Sequence, residues 1–236
     1  MTNLTVRVVL SAPIALGRLP YAPTLDAVLA SLIAGTEWLE GTEAAGLFDE
    51  LGLCLAIHDG VPAASALWPL STVSRANHEY VRSSVAQDLT HFGGNTTLLE
   101  HKGKWLMKRS TRATIYSRTW AWWAQGDQDA ISGWLSRLSS VGAKRAGGFG
   151  AVDRVSINPT GRAAWRVHGI DDLVLSRPVP LDRLDWWLRD ADASRNDLDW
   201  SQHAIIPLPQ WPAPAWGPGP DVPTVVPLLP SEVPSA

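Results

Sequence analysis

Leu4, Val6, Val8 and Leu10 fall on one side of an extended chain, with Thr5, Arg7, Val9 and Ser11 on the other. That period of two is the signature of a strand with one buried face. A Pro/Gly-rich connection from Pro13 to Pro23 follows, and then Leu25, Val28, Leu29, Leu32 and Ile33 take up helical spacing. Thr24 is the expected N-cap, and Asp26 places a negative charge in the first turn, where it favours the helix dipole. Two apolar runs, Leu51–Ile57 and Ala64–Leu70, flank Asp59-Gly60, which predicts a hairpin. A second amphipathic helix begins at Asp127 or Asp129. It carries Ile131, Trp134, Leu135 and Leu138 on its stripe and has Gly142 placed to close it. After a glycine-rich loop, Val155 and Ile157 alternate with Arg154 and Ser156 in another strand. Strand-like pieces at Ala164–Val167 and Leu173–Leu175 and a short helix near Leu181 complete the ordered region.

In order, these elements predict an α+β fold with a ferredoxin-like (RRM-type) βαββαβ core. The less regular stretch, about 71–126, is expected as a basic insertion, so that 1–206 form one domain. Residues 207–236 form a Pro-rich C-terminal arm with 10 of the 18 prolines. Proline removes backbone donors, so this arm is expected to be neither a helix nor a central strand. It is disordered or laid along another surface, and Trp211 and Trp216 within it suggest docking on a partner or on the chain itself.

At 45% hydrophobic residues the chain can bury a substantial core. With Cys54 as the one cysteine, no disulfide framework is possible, which fits a reducing, cytoplasmic setting. Neither a signal peptide nor a membrane span is expected.

The net charge of −3 hides a segregation. Residues 1–100 carry 4 basic and 10 acidic groups, residues 101–170 carry 12 and 3, and residues 171–236 carry 4 and 10. A segment at +9 between two at −6 is the footprint expected for a polyanion, unless it is neutralised by the flanks within the fold. Between His101 and Arg118 there are six cations (Lys102, Lys104, Lys108, Arg109, Arg112 and Arg118), no acid, and the rings of Trp105 and Tyr116. Charges for phosphates interleaved with rings for bases are how single-stranded nucleic acid is held. If the stretch is strand, Lys108, Arg112 and Arg118 share one face, and Trp105 and Arg109 the other. Trp120, Trp122 and Trp123 are expected in the core, and Trp186-Trp187 in helix packing or a subunit contact.

The segment Gly142-Ala143-Lys144-Arg145-Ala146-Gly147-Gly148-Phe149-Gly150 lies between helix and strand. It is neither a Walker loop nor a dinucleotide fingerprint, both of which open a helix. Its glycines let backbone amides approach an anion, Lys144 and Arg145 add charge, and Phe149 adds a ring. An ordinary helix-to-strand turn needs only one or two of those glycines.

This loop resembles the glycine-rich loop of the RAMP (repeat-associated mysterious protein) superfamily of CRISPR RNA-binding subunits. The segments Ser11-Ala12-Pro13-Ile14-Ala15 and Leu25-Asp26-Ala27-Val28-Leu29-Ala30 are similar to the Cas five family subunit of type IV CRISPR effectors. The resemblance covers roughly residues 4–35 and 100–157. It implies a subunit that caps the 5′ handle of the CRISPR RNA and contacts the backbone and large subunits of the complex in antiviral or anti-plasmid defence. No RNP1 match is present, in keeping with a family that relies on loops and insertions rather than sheet aromatics.

The six histidines show no metal-ligand spacing, so neither metal nor cofactor is expected. His101, Lys104 and Tyr116 are of the types used by relatives that cleave precursor RNA without metal. Binding demands the same residue types, and a non-catalytic subunit is the expectation.

Overall fold

The alternation of residues 4–10 ends in a strand whose inward side chains, Leu4, Val6, Val8 and Leu10, are buried. In the computed structural model, residues 1–15, 21–35, 42–58, 60–82, 108–143, 148–161, 163–168, 173–189, 191–209 and 221–229 are described. The N-terminal half holds β1 (Thr2–Leu10), β2 (Ile14–Ala15), α1 (Leu25–Ala34), α2 (Thr42–Cys54), β3 (Ile57–His58), β4 (Val61–Pro62), β5 (Trp68–Pro69) and β6 (Ser74–Arg82). Then come β7 (Lys108–Tyr116), β8 (Thr119–Gly126), α3 (Gln128–Leu135) and β9 (Val152–Pro159). The C-terminal part adds β10 (Val167–His168), β11 (Val174–Leu175), β12 (Val179–Pro180), α4 (Leu184–Arg189), β13 (His203–Pro209) and β14 (Asp221–Pro227).

The fold is α+β with antiparallel sheets. Its central sheet runs β5-β8-β1-β9, and every neighbouring pair is antiparallel. This order, with α1 after β1 and α3 between β8 and β9, is compatible with a ferredoxin-like core. The succession is not a bare βαββαβ, because α2 and the small β3–β4 hairpin intervene before β5. Register sets Val6 opposite Trp122 and Val8 opposite Trp120, so both rings join the face that α1 and α3 cover. Both tryptophans are fully buried, and their indole N–H groups donate to the carbonyls of Ser117 (Trp120, 2.7 Å) and Pro23 (Trp122, 3.0 Å). Truncating such a ring to alanine costs about 3–5 kcal/mol.

Several local expectations need correcting. Leu51–Cys54 is the last turn of α2, not strand, because the buried stripe is Leu47, Leu51, Cys54 and Leu55 at helical spacing. The hairpin at Gly60 is real but short, with Ile57 opposite Pro62 and His58 opposite Val61; Asp59 lies outside the described residues. Thr119–Gly126, placed by the sequence reading in the insertion, is an interior strand of the central sheet, so the stretch between β5 and β8 that leaves this sheet ends earlier. Helix α3 stops at Leu135 with Ser136 as its C-cap, well before Gly142. Thr24 is the N-cap of α1, as expected, but its side chain makes no capping hydrogen bond; its carbonyl accepts from the Val28 amide at 3.1 Å, and the Leu25 amide donates to the Ser65 carbonyl at 3.1 Å.

A second core packs on the other face of the sheet. Trp165, Leu175, Val179, Leu184, Trp187, Leu188 and Val225 form it, and Trp123 touches both cores. Its sheet runs β12-β14-β13, which places a Pro-rich strand in the middle and corrects the expectation for that segment. The arrangement is allowed because β12 pairs only with Thr224 and Val225, both of which keep an N–H. Pro223 and Pro227 lie outside that short overlap, against β13 alone. Trp211 and Trp216 fall outside the described residues. No helix among the described residues is long and apolar enough to cross a membrane.

Candidate nucleic-acid interface

The glycine-rich segment is built from its base. Gly142 has φ +86°, and a Cβ there would lie 2.6 Å from Ile14 Cγ2. Gly150 has φ +63°, and a Cβ there would run into the Val141 carbonyl. Both positions therefore exclude larger residues for reasons of fold. Between them the Val141 amide donates to the Gly150 carbonyl at 2.9 Å, and the Gly150 amide donates to the Pro13 carbonyl at 2.8 Å, which closes the neck of the loop. Gly148 differs. Its φ is +81°, but a Cβ would meet nothing within 4 Å among the described residues, and the residue is exposed. Its glycine is required by backbone conformation and not by packing. Phe149 is half-buried beside it, while Lys144, Arg145 and Gly147 lie outside the described residues.

The two-residue strand β2 joins this loop to the basic stretch. On one side Ala15 forms a bridge with Ala143, whose amide donates to the Ala15 carbonyl at 3.0 Å. On the other, Ile14 and Ala15 pair with Ile115 and Thr114 of β7. The chain thus brings the base of the glycine-rich loop and the basic hairpin into one hydrogen-bonded layer, although they lie about thirty residues apart in sequence.

The hairpin itself is β6 against β7. Lys108, Arg109 and Arg112 lie on β7, and their register sets Arg82 opposite Lys108 and His78 opposite Arg112. Lys108 and Arg112 are four residues apart on this strand, an even spacing that puts them at equivalent positions of the pleat, and Tyr116 ends the strand at the same spacing. Tyr116 is 43% exposed. Arg118, expected on the same strand face, instead lies in the turn between β7 and β8. There its amide donates to Ser71 Oγ at 3.1 Å and its carbonyl accepts from the Leu10 amide at 3.0 Å. Its side chain is exposed. Lys102, Lys104 and Trp105 lie outside the described residues. Sequence reasoning missed β6 as the partner strand, and with it Arg82 and Arg75. The signal available was weak, since Ser74–Arg82 has neither clear alternation nor a turn motif joining it to β7.

Among the described residues no group of His, Cys, Asp and Glu could hold a metal ion. Burial raises the Cys54 thiol above its ordinary range, with Asp127 and Glu50 adding to the shift, so it is protonated at neutral pH and unsuited to act as a nucleophile.

No family model matches the chain, and no curated protein matches it. Among solved structures it is similar to a chain from the "Cryo-EM structure of the Type III-B Cmr-beta bound to cognate target RNA and AMPPnP". That similarity covers 98% of this chain and 84% of that one, at 9% identity and a TM-score of 0.36.

Proposed function

We propose that this chain is a non-catalytic RNA-holding subunit of a CRISPR ribonucleoprotein, a RAMP protein of the type IV Cas five kind. In this reading it grips the 5′ handle of the guide RNA and docks on the backbone and large subunits in the cytoplasm. The observation that carries the reading is the layer formed by the glycine-rich loop base, β2 and the basic hairpin. It joins the base of the loop to the strand that carries Lys108, Arg109, Arg112 and Tyr116, and a phosphate chain with bases turned to rings suits such a neighbourhood. Lys102, Lys104, Trp105, Lys108, Arg109, Arg112 and Arg118 supply charge and stacking, and Gly142 to Gly150 with Lys144 and Arg145 supply the cradle.

The test is to purify the chain with its neighbours and sequence the nucleic acid that accompanies it. A repeat-derived guide RNA is expected, and it should be lost in a Lys144→Gln, Arg145→Gln variant and in a folded Gly148→Val variant. Recovery of the same RNA by both variants would reduce the loop to a turn. Metal-free cleavage of a repeat-containing transcript, abolished by His101→Ala or Tyr116→Phe, would replace the binding role with a nuclease one.

A further inference from the structure

Among the described residues, the sheet face turned away from α1 and α3 is only half covered. Over β8 and β5, Trp123 and Trp68 pack on His168, with ring centroids 5.3 and 4.1 Å apart. Over β1 and β9 the same face carries Thr5, Arg7 and Val9 beside Arg154, Ser156 and Asn158. Arg7 stands opposite Ser156, and Arg154 opposite Val9, which makes the two arginines diagonal neighbours about 7–8 Å apart at the backbone. Both are exposed, and neither guanidinium is engaged by a carboxylate among the described residues. Like charges at diagonal positions repel, and an anion held between them removes that repulsion.

The pair also lies next to the loop. The Ser11 amide donates to the Ala151 carbonyl at 3.0 Å, fastening the end of the loop to the end of β1, and Arg154 follows Gly150 by four residues. Asp153, between them, falls at the register shift where β9 slips against β1. Arg118, held through its backbone to Leu10, brings a third exposed cation to the same end of β1.

We propose that single-stranded RNA leaving the glycine-rich loop continues across the open half of the central sheet, where Arg7 and Arg154 bind its phosphates. This rests on the RNA-holding reading above and adds the path of the strand. The neighbouring positions on this face, Thr5, Ser156 and Asn158, offer hydroxyls and an amide but no ring. The contact is therefore to backbone and sugar and is blind to sequence.

The experiment titrates the full chain with a fluorescent oligouridylate over a range of salt concentrations. The double variant Arg7→Gln, Arg154→Gln is compared with Lys144→Gln, Arg145→Gln and with Arg189→Gln, Arg195→Gln, which removes equal charge from the exposed surface of the C-terminal part. Removing two phosphate contacts should lower the log–log salt slope by about 1.4 with the melting temperature unchanged. Arg189→Gln, Arg195→Gln should leave the slope at the parental value. A parental slope in Arg7→Gln, Arg154→Gln, with binding lost in the loop variant, overturns the sheet-face path and leaves the RNA-holding reading intact. An equal loss in the Arg189, Arg195 variant overturns it as well, because net charge alone would then explain the effect. A parent that does not bind oligouridylate also overturns this contact, and the wider reading falls with it only if no RNA accompanies the purified chain.

Discussion

Gly150 and Gly148 show how two glycines of one loop answer to different forces. Both have positive φ, but only Gly150 lies against backbone, the Val141 carbonyl. Gly148→Ala should cost about 1–2 kcal/mol, the price of a left-handed backbone for an L-residue. Gly150→Ala should cost clearly more, because Val141 and the neck of the loop must move; denaturant midpoints of the two variants would measure the difference. A second residue-scale case is His203. Its Nε2 accepts from the Leu175 amide at 3.0 Å, and its Nδ1 donates to the Asp199 carbonyl at 2.7 Å, which requires the neutral ring. Burial lowers its pKa against smaller opposing effects from Asp199. The unfolded chain therefore takes up a proton more readily than the folded one as pH falls below about 6.5, the ordinary histidine value. Stability from this group is fully present above that pH and declines below it, towards the lowered folded value. Unfolding midpoints across pH 5 to 8 should show that decline in the parent and a flatter profile in His203→Gln.

At the level of elements, α3 shows a start signal that is legible in sequence and an end signal that is not. Asp127 is its N-cap, accepting from the Ala130 amide at 2.8 Å. The Asp127 amide also donates to the Cys54 carbonyl at 2.8 Å, which ties the start of α3 to the end of α2. Asp127→Ala should destabilise the chain by about 1 kcal/mol, while Asp127→Asn should lose only a fraction of that, since an amide oxygen still caps; chemical denaturation compares them. The other end is hidden in the sequence because Leu138 continues the apolar stripe beyond the helix. It is buried, but it lies in the turn that follows Ser136. Helix α2 is masked in the sequence for a related reason. Leu51, Leu53 and Leu55 alternate like a strand, and Gly46 and Gly52 lower helix propensity. Exposure separates the two readings, since Leu53 is 71% exposed while Leu51 and Leu55 are buried.

For the whole molecule, the joint between the two cores is the feature most open to test. Arg177, buried in the C-terminal part, donates to the Pro62 and Ala64 carbonyls at 2.6 and 3.0 Å and pairs with Asp26 of α1 at 3.2 Å. Asp26, expected to serve the helix dipole, is thus also one half of a bond between the two halves of the molecule. Burial raises the nearby Tyr21 hydroxyl to about 12, opposed by Arg177 and aided by Asp26, so it is neutral throughout the physiological range. Removing Arg177 leaves a largely buried carboxylate without its cation and takes a charged donor from two carbonyls, of which that of Pro62 keeps the Ala64 amide at 2.9 Å. Arg177→Ala should therefore cost about 3–5 kcal/mol, and Arg177→Lys should recover only part of it because one ammonium cannot span all three acceptors. Calorimetry would show a lower midpoint, and a split transition if the two cores then unfold separately.

The sequence by itself determined what depends on near neighbours: the buried face of β1, the stripe of α1, the Asp127 cap, the core tryptophans on β8 and the segregation of charge. All but the last are repeats or pairings within a few residues, so a window of local sequence contains them, and the charge segregation is a sum over composition that needs no partner to be read. Tertiary structure decided which distant segments meet. Strands β2 and β5, at two residues each, have too little length for any periodicity, yet β2 links the glycine-rich loop to the basic hairpin and β5 completes the central sheet. The central position of β14, with its prolines beyond the reach of β12, and the half-covered sheet face that leaves Arg7 and Arg154 open were likewise settled by partners. Strand pairing and burial are set by the joint surface of segments remote in the chain, and no single segment encodes that surface.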